Sequence, residues 1–446
     1  MSEPSSMALA SEPEWAAFAA IDWADQKNFW RLAPADSQKH EQGELENTPE
    51  AVEVWAAGLE QRFGGRPVAV CLEQSRGTLV YMLSKYPHLV LFPVHPTTAA
   101  RYRVTFTPSG AKSDPNDTAA LLDLLLRHRD RLRPLQPDTV ETRLLHLLVE
   151  ERRQTVAEKT RQSNRLTDCL KLYFPQILRW FDDVTTPLVG DLLQRWGSLE
   201  ELQRAHPGTL RKFFREHNCR SAELMEERIT GIYQAIPATT DQAVLEAGIM
   251  TARGLTALLA TLRTNIASFD QRIAQLVESH PDGALFASLP GAGAALVPRL
   301  LVAFGTRRDR YQSAYEMQCY SGIAPVREAS GNSEWIHFRF VCPKFLRQTF
   351  HEFASHSIGQ SEWAKAYYEH LRQDEKKHHH AAVRSLAYKW IRIIFRCWKD
   401  GKPYDEQIYQ NSLRRRGSLL AGILGGATGL SWKPVAGFQK LSENNA

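Results

Sequence analysis

The sequence predicts an α/β domain followed by a mostly helical remainder, α/β plus α, and three observations lead there. Short apolar runs alternate with helical stretches over the first third of the chain. Two long middle stretches repeat apolar residues every three or four positions. Past Ala284 the composition shifts to Gly and Pro punctuation, aromatic residues and excess base. Alternating short runs read as buried strands separated by helices, and a narrow three-four repeat as a long amphipathic helix. With 446 residues and 43% hydrophobic content, the chain is too long for one small core, so two or three folded units are expected.

The first unit is expected over residues 12–135. Its apolar runs are AAFAAIDWA, KNFWRLA, PVAVCLE and HLVLFPV, each bounded by polar, Pro or Gly residues. The segment DTAALLDLLLRHRDRLRPL then reads as a helix ending at Pro134, with Arg127, Arg129, Arg131 and Arg133 suited to a helix C-terminus or a phosphate backbone. A helical, coiled-coil-forming middle follows over 136–283. Leu144, Leu148, Val156, Leu166 and Leu170 form one stripe, and Leu255, Leu259, Leu262, Ile266, Phe269, Ile273 and Leu276 form a heptad seam. Such helices pair as an antiparallel coiled coil or join those of another subunit. Between them Pro175, Pro187 and Pro207 mark a small helical insert. A mixed, mostly helical third unit is expected over 284–410. Residues 411–446, with GILGGATGL and SENNA, read as a poorly ordered tail.

Net charge is only +5 and the pI about 8.8, so the total does not announce a nucleic-acid partner. Its distribution says more: residues 338–416 carry twice as many Lys and Arg as Asp and Glu, while the rest is slightly acidic. Cys71, Cys169, Cys219, Cys319, Cys342 and Cys397 form no C-x-x-C pair, which argues against a zinc ribbon or a disulfide framework. The acidic N-terminus is unlike a signal peptide and no apolar run looks long enough for a membrane, so a cytoplasmic protein with no membrane partner is expected.

Four carboxylates carry the chemistry. Asp22 ends the run AAIDWAD and Glu73 ends AVCLEQS, and a carboxylate at the C-terminal end of a buried strand emerges at a sheet edge. Asp114 and Asp117 stand three apart at a helix opening and so share a helical face. Four converging acids repel one another unless divalent cations neutralise them, and Mg2+ is the natural guest. Taken singly, each carboxylate also has a plain reading as a cap, an ion-pair partner or a favourable charge at a helix start. The tripeptide Ser330-Gly331-Asn332 reads as a tight turn, and LPGAGAAL as either a helix–helix turn or a phosphate-binding hairpin. In KKHHHAAVRSLAYKWIRIIFRCWKDGK, Arg384, Lys389 and Arg392 interleave with aromatics, as in RNA-binding surfaces, or simply cover an apolar helix face; His378 to His380 read as its solvated start.

The motifs AAIDWADQKN, VCLEQSRG and AKSDPNDTAALLDLL together resemble the DEDD insertion-sequence transposases numbered one-ten, the bridge-RNA-guided recombinases. The stretch from LPGAGAAL through GIAPVREASGNSEW to PKFLRQTFHEFA is similar to that family's C-terminal transposase domain. The resemblance implies a RuvC-like, RNase H-fold N-terminal domain whose catalytic, metal-holding set is Asp22, Glu73, Asp114 and Asp117. It further implies a nucleophilic serine at Ser330, a composite site built between domains, DNA ends and target as substrates, a guide RNA, and a dimer or tetramer. Candidate nucleic-acid contacts are Lys112, Arg327, Arg339, Lys344, Arg347, Arg384, Lys389 and Arg392. The family's K-G-N-x-x-L-R stretch is replaced here by PKFLRQTF, which supplies Lys344 and Arg347 without the Gly-Asn pair. Two other readings stay open: a hydrolytic, junction-resolvase-like nuclease using the four carboxylates alone, and a nucleic-acid-binding scaffold with a decayed site.

Overall fold

The computed structural model describes residues 14–106, 113–331 and 333–426. The chain divides into two compact units at Pro137 and Asp138.

The first unit is a five-stranded sheet with helices on both faces. In chain order it runs β1 (Ala17–Asp22), β2 (Lys27–Pro34), β3 (Glu41–Glu46), α1 (Pro49–Phe63), β4 (Val68–Leu72), α2 (Thr78–Leu83), β5 (Leu89–Pro93), α3 (Pro96–Phe106) and α4 (Asp114–His128). Sheet order is β3-β2-β1-β4-β5. The first three strands form an antiparallel meander, and β4 and β5 join β1 in parallel. The four apolar runs are β1, β2, β4 and β5. The fifth strand, EQGELE, is an edge strand whose polar sequence carries no burial signal; its Gly43 lies against the Trp30 ring, where a Cβ would stand 2.9 Å from a ring carbon.

Side-chain alternation sorts the central strands between two cores. Ala17, Ala19, Ile21, Val68, Val70 and Leu72 pack with α1 and α2. Ala20, Ala69 and Cys71, with half-buried Phe18, pack against Leu121, Leu122, Leu124 and Leu125 of α4. Burial on both faces is why β1 and β4 read as nearly continuous apolar runs.

The second unit begins with α5 (Val140–Tyr173). A cap of five short helices follows, α6 (Ile177–Trp180), α7 (Pro187–Arg195), α8 (Leu199–Gln203), α9 (Pro207–Glu216) and α10 (Ala222–Gln234), and the chain returns along α11 (Gln242–Ser279). Thr142 hydrogen-bonds His280, Arg152 pairs with Asp270, and the Cys169 thiol lies 3.5 Å from the Gly248 carbonyl. These contacts fix α5 and α11 as an antiparallel pair within one chain. At one end Leu166, Leu170, Tyr173, Leu255 and Leu259 join the core of the insert; at the other Leu145, Val149, Ile273 and Leu276 join the C-terminal core. Contrary to the expectation from the sequence, α11 holds a window apolar enough by length and composition to cross a membrane. Its Ala, Val, Leu and Ile content produces that result without an unbroken apolar run, and α5 packs along it.

The rest of this unit runs through α12 (Gly283–Ala287), α13 (Gly293–Phe304), α14 (Ala314–Tyr320), the hairpin β6 (Val326–Ser330) and β7 (Ser333–His337), α15 (Lys344–Ser357), α16 (Glu362–Gln373), α17 (His379–Asp400), α18 (Glu406–Arg415) and α19 (Leu419–Gly426), and its helices share the C-terminal core. Trp363, Trp390 and Trp398 are fully buried at its centre. The expected tail is corrected over its first part: within residues 411–426 the chain completes α18 and forms α19, and Leu413 and Leu420 are buried in the core, while residues 427–446 lie outside the described residues. Apolar residues spaced for one short helix were masked by the glycines of GILGG.

Candidate active site: a carboxylate edge and a serine hairpin

Asp22 is the last residue of β1 and Glu73 directly follows β4. The parallel register pairs Ile21 with Leu72, so the next residues, Asp22 and Glu73, leave the sheet side by side. Alternation from Phe18 and Ala20 puts Asp22 on the α4 face. Cys71, on that same face, has its thiol pushed up to about 12, first by burial and then by the charge of Glu73.

The direction of α4 follows from its far end. The Arg129 guanidinium lies 5.6 Å from the Trp15 ring and 5.2 Å from Phe18, at the start of β1. Helix α4 therefore runs against β1, and its first turn, with Asp114 and Asp117, lies toward the edge where Asp22 and Glu73 emerge. Pro115 suits a first helical turn, and Thr118, buried, donates its hydroxyl to the Asp114 carbonyl. Asp114 is exposed, whereas Asp117 is 4% exposed and pairs with Arg103 Nη1 at 2.6 Å.

The fold thus brings all four predicted carboxylates to one edge and one face. It does not close them into a ready coordination sphere: among the described residues, no three His, Cys, Asp or Glu side chains are grouped to hold an ion. The donor set is all oxygen, which fits a hard divalent cation. Asp117, however, already has a cation, the Arg103 guanidinium. Arg103 was not singled out in the sequence, where YRVTF gives no hint that its side chain reaches the helix that follows.

Ser330 lies at the tip of the β6–β7 hairpin, opposite Ser333. Gly331 has φ 57, the left-handed conformation that a two-residue hairpin loop demands and glycine accepts. Gly331 has the conformation the expected turn requires, Ser330 before it is exposed, and Asn332 lies outside the described residues. Further down the hairpin, His337 stands 3.4 Å from Glu328.

The predicted cations separate into two groups. Arg327, Lys344 and Arg392 are exposed, while Lys112 lies outside the described residues. Around the hairpin base, Arg347 and Arg384 approach the Phe338 ring at 4.6 and 4.1 Å. Arg347 also donates to the Phe340 carbonyl at 3.1 Å and to Cys342 at 2.8 Å, and Arg339 to the Ala324 carbonyl at 3.4 Å. Burial, then the charge of Arg347, lowers the pKa of Arg384. Lys389, 4.3 Å from the Tyr367 ring, is lowered by burial and then by Arg392. The loop of LPGAGAAL serves packing: a Cβ on Gly291 would lie 2.9 Å from the His356 carbonyl of α15. His379 bonds Tyr368 at 2.8 Å, and the His380 ring lies tilted 5.6 Å from that of His351.

Comparison with known proteins matches the same two regions. A family model for the DEDD transposase of IS110 covers residues 19–175, and one for the transposase of the IS116/IS110/IS902 family covers residues 283–369. The mini-circle putative transposase for IS117 of Streptomyces coelicolor is 28% identical over 350 residues, 76% of this chain and 83% of that protein. An uncharacterized 43.6 kDa protein of insertion element IS110, from the same organism, is 27% identical over 70% of this chain and 77% of its own length. A pilin gene-inverting protein of Moraxella bovis is 28% identical over 33% of this chain and 47% of its own length.

Proposed function

The chain belongs to the IS116/IS110/IS902 transposase family, whose two domains it carries over residues 19–175 and 283–369, and on that premise we propose that it cleaves and rejoins insertion-element DNA through a phosphoserine at Ser330, with Mg2+ held by Asp22, Glu73, Asp114 and Asp117. Family membership makes DNA transposition its business; the serine, the metal and the guide are the finer reading. The observation that carries it is the convergence of Asp22 and Glu73 from adjacent parallel strands with the first turn of α4 on the same face.

The Ser330 hydroxyl attacks the scissile phosphorus, a phosphoserine bond forms, and the bond to the leaving sugar oxygen breaks. Attack by a second strand's hydroxyl reverses the step and releases the serine, so the phosphodiester energy is conserved. Magnesium at the carboxylates would neutralise phosphate oxygens and stabilise the attacking and leaving oxygens. The carboxylates orient that charge from rigid elements, and the exposed hairpin brings the hydroxyl to a backbone without desolvating a pocket. Exposed Arg327, Lys344 and Arg392, with the cations around Phe338, supply backbone contacts. Site choice by an RNA and a dimeric or tetrameric assembly complete the reading, supported by the motifs shared with the bridge-RNA-guided members. A Moraxella bovis relative is named a pilin gene-inverting protein, which accords with a DNA-rearranging activity.

A hydrolytic nuclease is the second reading. It is favoured by one observation: Glu328 and His337 engage each other rather than Ser330. Cleavage of element-end DNA with Mg2+ and the element's RNA, resolved on a denaturing gel, decides between them. A protein–DNA adduct lost in Ser330→Ala supports the serine; cleavage with no adduct in either protein overturns it.

A further inference from the structure

Along the outer side of α4 runs a cleft of about 330 Å3, and its walls are basic. Asn116, Ala119 and Asp123, on one helical face, form the floor; Arg31 of β2 and the neighbouring His40 stand on one side and Arg103 of α3 on the other. Arg31 is paired in register with Ala20, so it projects on the α4 face of the sheet. The one acid in the floor is already compensated, because Asp123 accepts from Tyr102 at 2.8 Å and from Arg127 at 2.6 Å. With Arg103 held by Asp117, the charge left over is that of Arg31, whose partner Gln42 is neutral.

The two arginines are incompletely satisfied. Arg31 donates through Nη2 to Gln42 at 2.7 Å and Arg103 through Nη1 to Asp117 at 2.6 Å, yet the Nε of each is buried and has no hydrogen-bond partner. A buried guanidinium N–H without an acceptor is a standing cost. A phosphate oxygen is the acceptor whose geometry matches the guanidinium fork.

We propose that this cleft binds a backbone phosphate of a nucleic-acid strand through Arg31 and Arg103, and that its occupation draws Arg103 away from Asp117. Asp117 then exchanges a guanidinium for a divalent cation. Strand binding and cation binding are thereby coupled: each strengthens the other by the same factor, as linkage requires. The strand is the gate, and the free chain is kept from holding metal at Asp117 by its own arginine. The second half of the proposal rests on the reading of Asp117 as a cation ligand; the first does not.

The test uses the full chain and two probes. Anisotropy of a labelled single-stranded 12-mer, as DNA and as RNA, is measured in EDTA across a salt series. Arg31→Gln and Arg103→Gln are each expected to weaken binding about tenfold and to flatten the salt dependence by about one unit, the signature of one lost phosphate contact. Both variants binding the 12-mers as wild type does overturns the cleft. Circular dichroism guards against misfolding, and Arg31→Lys, which keeps the charge, should restore most of the salt slope. Mn2+ binding is then followed by calorimetry. Arg103→Gln is expected to bind Mn2+ more tightly than wild type without nucleic acid, and the 12-mer to tighten Mn2+ binding in wild type but not in that variant. Weaker Mn2+ binding in Arg103→Gln overturns the coupling. If instead Asp22→Asn and Asp117→Asn leave Mn2+ binding unchanged, the cation reading of the carboxylates fails, while the strand measurement still stands. The DNA and RNA arms show which strand the cleft prefers.

Discussion

Asp117 and Ser330 sit at opposite extremes of the molecule's mechanics. Asp117 is 4% exposed, on a helix whose four leucines are locked against the sheet and whose far end is tied by Arg129 to Trp15 and Phe18. Ser330 is exposed at the tip of a two-stranded hairpin, where Trp335 is 55% and Ile336 68% exposed. Two strands alone are marginal in water. Charge-holding groups need fixed positions, because electrostatic stabilisation is lost when the groups must reorganise. A nucleophile that has to follow a strand through cleavage and rejoining benefits from a pliant mount. The two groups thus ride on mounts of opposite stiffness, each within its own unit.

The largest effect tests the yielding mount. Ser330→Ala should remove strand cleavage and the covalent adduct together, a loss on the order of 10^6-fold where a nucleophile is indispensable. Its urea midpoint should match wild type, since an exposed tip carries little stability. Retained cleavage would transfer the whole chemistry to the carboxylates.

Next comes the stiff mount. Asp22→Asn should cut cleavage by about 10^2- to 10^3-fold, as for removal of one preorganised charge-stabilising group, with the adduct falling in parallel on the gel. If cleavage is intact, Asp22 only ends a strand.

A smaller effect probes the hairpin's geometry. Gly331→Val forces a β-branched residue to φ 57, at a cost of about 1–2 kcal/mol. Cleavage should fall roughly tenfold while the main melting transition stays in place. A drop in that transition instead would show the hairpin to be part of the core, and the contrast between the two mounts would collapse.

The smallest concerns the helical body of the second unit. The Asp282 amide donates to His280 Nδ1 at 3.0 Å, which leaves Nε2 to carry the proton toward Thr142, also at 3.0 Å. His280 is thus neutral, and burial, its leading cause, lowers its pKa below the usual 6.5. Protons then bind the unfolded chain first, so stability is full above about pH 6.5 and falls as pH drops toward the folded-state value. Stability read from urea midpoints should therefore fall between pH 7.5 and 5.5. In His280→Asn that extra slope should vanish; an unchanged slope would assign it elsewhere.

Much of the carboxylate half was legible in the residues themselves. Asp22 and Glu73 each close an apolar run, and strand burial on both faces makes such runs conspicuous. Asp114 and Asp117 open a helix marked by Pro115 and a leucine-rich face. What stayed hidden is what acts across elements. Strand β3 is an edge strand and needs no apolar alternation. Arg103 meets Asp117 only because α3 folds back on α4, and neither residue's neighbours encode that approach. Ser330 presents the reverse case: its tripeptide announces a turn, while the nucleophilic role proposed for it rests on the family's motifs alone.

The α5–α11 pair sets a distance as well as a connection. Each helix advances about 1.5 Å per residue, and the two cores at its ends share no buried residue across the middle. Removing seven residues from each helix, in register, would bring the insert about 10 Å closer to the C-terminal core while leaving both intact. The pair is a ruler with two fixed ends. Relatives differing in length there would carry the same two bodies at a different span, and so reach correspondingly nearer or farther along whatever they grip.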